Sequence, residues 1–162
     1  MEQRASSVYI ISPLTKAILT TESTYYRSLI LEKNTKKKSI YTAEQIIDHN
    51  CLLDVSSIEG RRTVVKSILN ASSKLPIPVS VEQGLYMLPT ASTKNKDRVW
   101  LAYEHIEAYE QDGENTYITF RDGSGIYVNI SQRAIDMQYK RASQVIVALN
   151  RPVIFGRSPY SR

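Results

Sequence analysis

The sequence predicts an α+β fold: a single domain of antiparallel β-strands and hairpins with about three helices. Three observations carry this. Short stretches rich in β-branched and aromatic residues recur along the chain, bounded by Pro, Gly and Asn. One strand–turn–strand signal is strong: TYITF (116–120), RDGSG (121–125) and IYVNI (126–130). Two segments place apolar residues at helical spacing behind a Thr or Ser N-cap.

The elements follow in order. VYIIS (8–12) reads as a strand ended by Pro13, and KAILTT (16–21) and YYRSLILE (25–32) have the same β-favouring character. NTKKKS (34–39) reads as a polar turn with three lysines at a loop or hairpin tip. TAEQIIDHNCLLDV (42–55) reads as a helix, with Thr42 and Gln45 spaced for a capping box and Ile46, Ile47, Leu52 and Leu53 for a buried face. RRTVVKSILNASSK (61–74) fits a helix or a strand. LPIPVSV (75–81) must be extended, because each proline disfavours helix in the residue before it. QGLYMLPTAS (83–92) is a strand ended by Pro89, TKNKDR (93–98) a basic loop, and VWLAYEHIEAYE (99–110) a strand running into an acidic segment. After the hairpin, Ser131 caps the helix QRAIDMQYKRASQVIVAL, with Ile130 and Ile135 as a hydrophobic staple. Its buried stripe is Ile135, Tyr139, Ala142, Ile146 and Leu149. The domain is assigned to 1–150, and 151–162 reads as a basic C-terminal tail.

Composition narrows the function. The one cysteine, Cys51, cannot form an intrachain disulfide and reads as a small core residue. No apolar run approaches a membrane span, so no membrane partner is expected and the protein reads as cytoplasmic. There is no GxSxG, Walker A or GxGxxG motif, and DGSG lies in a hairpin turn. With two histidines there is little from which to assemble a zinc site or a catalytic triad. The expectation is a protein without catalysis, metal or cofactor.

Charge is sorted along the chain. Net charge is +5. Residues 61–98 hold seven basic and two acidic residues, 99–131 one basic and six acidic, and 132–162 six basic and one acidic. Three basic clusters stand out: Arg61/Arg62/Lys66, Lys94/Lys96/Arg98 and Arg133/Lys140/Arg141. Each alone has a plain reading as a solvated face. Three together, with the acids elsewhere, suit phosphates, because counterion release drives such binding. Arg61 and Arg62, directly after Gly60, fit insertion into a narrow A·T-rich minor groove. Lys66, Lys94, Lys96, Arg133, Lys140 and Arg141 are expected to meet phosphates, with Arg98 also in the DNA-binding set. The alternative is a protein-interaction module whose acidic 104–114 face binds a partner. RNA is a third reading, without a visible stacking motif of the RRM type.

The order of SSIEGRR, KLPIPVSVEQGLYMLPTAS, RVWLAYEHI, the hairpin and ISQRAIDMQYKRA resembles the competence transcription factor family, ComK. The match runs from about Tyr9 to about Leu149. The resemblance implies a transcriptional activator of DNA-uptake genes that binds paired A·T-rich boxes in double-stranded DNA, largely through the minor groove. It also implies a homodimer or higher oligomer, with RNA polymerase and a Clp-protease adaptor as further partners. Longer members continue into a basic, hydrophobic C-terminal segment on which higher oligomerisation or adaptor-dependent turnover would depend; this sequence ends at Arg162. HIEAYEQDGENTYITFRDGSGIYVNIS (105–131) is similar to the strand pattern of LytTR-type DNA-binding domains, which also points to DNA.

Overall fold

The structure, a computed structural model, describes residues 7–92 and 95–156. Its centre is a six-stranded antiparallel sheet in the order β3-β2-β1-β6-β5-β4. These strands are β1 (Thr15–Thr20), β2 (Ser28–Glu32), β3 (Thr35–Ser39), β4 (Ile77–Ser80), β5 (Leu85–Pro89) and β6 (Val99–Ala102). A second antiparallel sheet, β7-β8-β9, comprises β7 (Ile106–Asp112), β8 (Asn115–Phe120) and β9 (Gly125–Val128). The helices are α1 (Ala43–Leu53), α2 (Ile58–Leu69), α3 (Gln132–Leu149) and the short α4 (Arg151–Phe155). The fold class is α+β, as the sequence predicts. No helix among the described residues is long and apolar enough to cross a membrane.

Alternation along the central strands sets the layering. Side chains of a strand point to opposite faces in turn. In β6, Trp100 and Ala102 join Ile46, Ile47 and Cys51 of α1, while Val99 and Leu101 join the second sheet and α3. β1 splits the same way at Ala17 and Ile18, and β5 at Met87 and Leu88. Both faces of the sheet are covered, so β5 and β6 are buried at every position. A third apolar cluster, Val65, Leu75, Tyr86 and Val145, joins α2 to α3.

Several elements form for local reasons already visible in sequence. Thr42 and Gln45 close a reciprocal capping box on α1. Ser131 caps α3 through the Ala134 N–H, and Ile130 and Ile135 pack in one cluster. The β8–β9 hairpin requires its last turn glycine: a Cβ on Gly125 would collide with the Ile118 carbonyl at 2.5 Å. Pro78 sits on the edge strand β4, where a missing ladder donor is tolerated.

Three expectations are corrected and one open alternative is resolved. Residues 8–12 are not a strand; the buried Asn50 side chain takes the Ile11 N–H and donates to the Tyr9 carbonyl, replacing a ladder. Residues 35–39 are not a loop but the outer strand β3. Glu32 pairs Thr35, so the turn is only Lys33–Asn34, with Asn34 at φ 74°. Leu52 and Leu53 are exposed, because Asn50 and Cys51 take the inward positions of α1. The 61–74 ambiguity resolves as helix, α2, which starts earlier behind the Ser57 cap. The tail begins with α4; residues 157–162 lie outside the described residues.

Candidate nucleic-acid interface

The two arginines of Gly60-Arg61-Arg62 go different ways. Arg61 points inward and is 8% exposed. Its Nε donates to Ser56 Oγ at 2.7 Å. Nη1 donates to the carbonyls of Pro78 and Val79 at 2.7 and 3.1 Å. Nη2 donates to the carbonyls of Cys51 and Asp54 at 3.0 and 2.9 Å, and to the Asp54 carboxylate at 3.3 Å. Every guanidinium nitrogen is thus engaged inside the protein. Arg61 ties the C-terminal end of α1 to edge strand β4. Groove insertion by Arg61 would require breaking these contacts, taking a guanidinium donor from the carbonyls of Pro78, Val79, Cys51 and Asp54. Gly60 lies in the first turn of α2, where a Cβ would come no nearer than 3.5 Å to Ser57 Oγ and would touch Ser56, all in ordinary contact, so the fold itself does not demand glycine there.

Arg62 faces the other way and meets Arg98. One oxygen of Glu44, in the first turn of α1, accepts from Arg62 at 2.8 Å and from Arg98 at 3.0 Å. Arg62 also pairs with Glu59 at 2.6 Å. Two guanidinium groups thus share one carboxylate. Burial lowers the pKa of Arg98, Glu44 opposes that, and Arg62 lowers it further. The Arg98 guanidinium lies over the Trp100 ring, 5.2 Å from its centroid. Arg98 directly precedes β6, two residues before Trp100, which puts its side chain on the same side as the indole.

Between α2, the 70–75 loop and the ends of β5 and β6 lies a pocket of about 170 Å³. Arg62, Lys66, Lys74 and Arg98 all line it. The fold therefore joins members of the first two sequence clusters and adds Lys74, which the sequence reading did not single out. Lys74 is at φ 52°, and its carbonyl accepts from the buried Gln138 of α3 at 2.9 Å. Gln138 also donates to the Pro89 carbonyl at 2.7 Å, so one side chain pins two walls of the pocket to α3.

The third cluster divides. Arg141 donates to the Ser73 carbonyl at 2.9 Å and to Gln138 at 2.8 Å, and burial lowers its pKa. It therefore braces the loop that carries Lys74. Lys140 is exposed and pairs with Asp136 one turn earlier at 2.8 Å. Arg133 is exposed in the first turn of α3 and is not brought to the pocket. Lys96 is exposed in the loop before Arg98, and Lys94 lies outside the described residues.

The acids segregate to the second sheet. Glu107, Glu110 and Asp112 on β7 are exposed, and Glu114 is exposed in the β7–β8 turn. Lys16 of β1 bridges the two sheets, donating to Asp122 at 2.9 Å and to Ser124 at 2.8 Å in the β8–β9 turn.

A family model described as ComK protein matches residues 6–152, nearly the whole chain. The chain belongs to the ComK family. One relative of this ComK-family chain is the Competence transcription factor of Bacillus subtilis (strain 168), 26% identical over 100 residues. The alignment covers 61% of this chain and 52% of that protein. The chain thus spans about half the length of the curated relative it matches. No solved structure matches it.

Proposed function

We propose that this ComK-family protein binds double-stranded A·T-rich DNA, largely through the minor groove, and activates transcription of DNA-uptake genes without a catalytic step of its own. The observation that carries this reading is the basic face of α2 and β6. Four cations there stand against two carboxylates, Glu44 and Glu59. Such a surplus attracts a polyanion and releases its counterions on contact. Arg62 takes the groove role once assigned to both arginines. Its partner Glu59 is exposed, and exchanging a surface ion pair for DNA costs little. Lys66, Lys74, Lys96 and Arg98 contact phosphates, as does Lys94, two residues before Lys96 in sequence. Arg133, Lys140 and Arg141 of α3 extend the contact.

In this reading residues 1–150 form the DNA-binding domain and 151–162 a basic tail. The protein works in the cytoplasm, at the nucleoid, as a homodimer or higher oligomer. RNA polymerase and a Clp-protease adaptor are its further partners. A second reading, a protein-interaction module, is favoured by one observation: the exposed carboxylates of β7 form an acidic face. Titration of an A·T-rich and a G·C-rich duplex at low and near-physiological salt separates the two. Preference for the A·T-rich duplex that persists at the higher salt is expected. Equal binding that vanishes with salt would leave the protein-interaction reading in its place.

A further inference from the structure

The pocket lined by Arg62, Lys66, Lys74 and Arg98 has the features of a seat rather than a charged surface. At about 170 Å³ it is smaller than small-molecule sites, roughly 300–1,000 Å³. It has room for a single oxyanion. Its two arginines are held in place before any ligand arrives, since Glu44 bridges them. Prepaid ordering of this kind lowers the cost of binding. Lys66 and Lys74 are exposed, and neither has an ion-pair partner among the described residues. The loop that carries Lys74 is braced from α3 by Gln138 and Arg141.

An independent observation comes from Trp100, which also lines the pocket. It is 1% exposed, and its indole Nε1 is buried without a hydrogen-bond partner among the described residues. Buried donors are normally paired, and an unpaired one calls for a reason. Trp100 shares the pocket wall with four cations and lies beneath the Arg98 guanidinium. A tetrahedral anion bearing several acceptor oxygens matches these four cations.

We propose that this pocket seats one phosphate group, supplied by the backbone of the bound duplex. The source rests on the DNA-binding reading above; the chemistry of the seat does not. Trp100 is the only tryptophan in the chain and lines this pocket, so its emission is sensitive to what the pocket holds. The test titrates the full chain with inorganic phosphate, against chloride at matched ionic strength, and separately with an A·T-rich duplex. Expected is a saturable emission change with phosphate and none with chloride. The duplex should give a change of its own and suppress the phosphate response. Lys74→Gln should weaken the phosphate response roughly tenfold, about one charge-assisted hydrogen bond, without moving the unfolding midpoint.

Duplex binding that leaves Trp100 silent to phosphate would overturn the seat while the DNA-binding reading stands. So would a phosphate response unchanged in Lys74→Gln. A phosphate response without duplex binding would overturn the duplex as the source and leave a seat for free phosphate.

Discussion

Arg61 and Arg62 are adjacent in sequence, yet one holds the fold together and the other faces the basic pocket. Nothing local distinguishes them. The difference arises because residue 61 falls on the inward arc of α2, beneath carbonyls of α1 and β4 that are distant in sequence. Arg61→Ala should therefore destabilise the protein by about 3 kcal/mol, since several buried carbonyls lose their donor. Arg61→Lys should recover little of that, because an ammonium lacks the planar fork of donors. Arg62→Ala should cost far less stability. Urea unfolding of the three variants checks this, and equal losses for Arg61→Ala and Arg62→Ala would contradict it. Glu104 was equally illegible. Its carboxylate oxygens are buried without a side-chain partner among the described residues, and burial, opposed only by its own backbone N–H, pushes its pKa up to about 7. The folded state then keeps a proton that the unfolded state releases near its ordinary value of 4.5. Stability falls as pH rises through that window and stays lower above it. Glu104→Gln should change the thermal midpoint little at pH 5 and raise it at pH 8; the same shift at both would refute the burial account.

Among the elements, those with complete local signals were legible from sequence. α1 announced itself by its capping box, α3 by Ser131 and its staple, and β8–β9 by its turn. The missed elements depend on partners far away. Residues 8–12 have strand composition, but Asn50 takes their hydrogen bonds. Lys36 to Lys38 look like a loop, yet β2 offers them an edge, and lysines on an edge strand discourage further pairing. The contact between the sheets was not legible either, because Lys16 and Asp122 are far apart in sequence. Hydrogen bonds from Ser124 and Lys16 hold the Asp122 carboxyl well below the usual carboxylate range. A depressed carboxyl contributes stability that is present above its unfolded pKa and lost as pH falls toward its folded one. Asp122→Asn should thus destabilise at pH 7, leaving the buried Lys16 without its charge partner. That penalty should shrink below about pH 4, the unperturbed Asp range. Denaturant unfolding across this range checks it, and a penalty independent of pH would contradict it.

At the scale of the whole molecule, charge sorting was legible and its geometry was not. The sequence places a basic block before an acidic one. Only the fold shows that Arg62 and Lys66 of α2, Lys74 of the following loop and Arg98 before β6 line one pocket, while β7 carries exposed acids. Lys74 escaped sequence reading because it stands alone between two serines and a Leu-Pro pair, with no neighbouring charge. The central claim is that this convergent face meets duplex phosphates. The most direct measurement is the slope of log K against log salt on an A·T-rich duplex, for the unaltered chain and for Lys66→Gln. Loss of one phosphate contact should weaken binding to all duplexes alike and reduce the slope by about 0.9. An unchanged slope and affinity would place the DNA contact on another face.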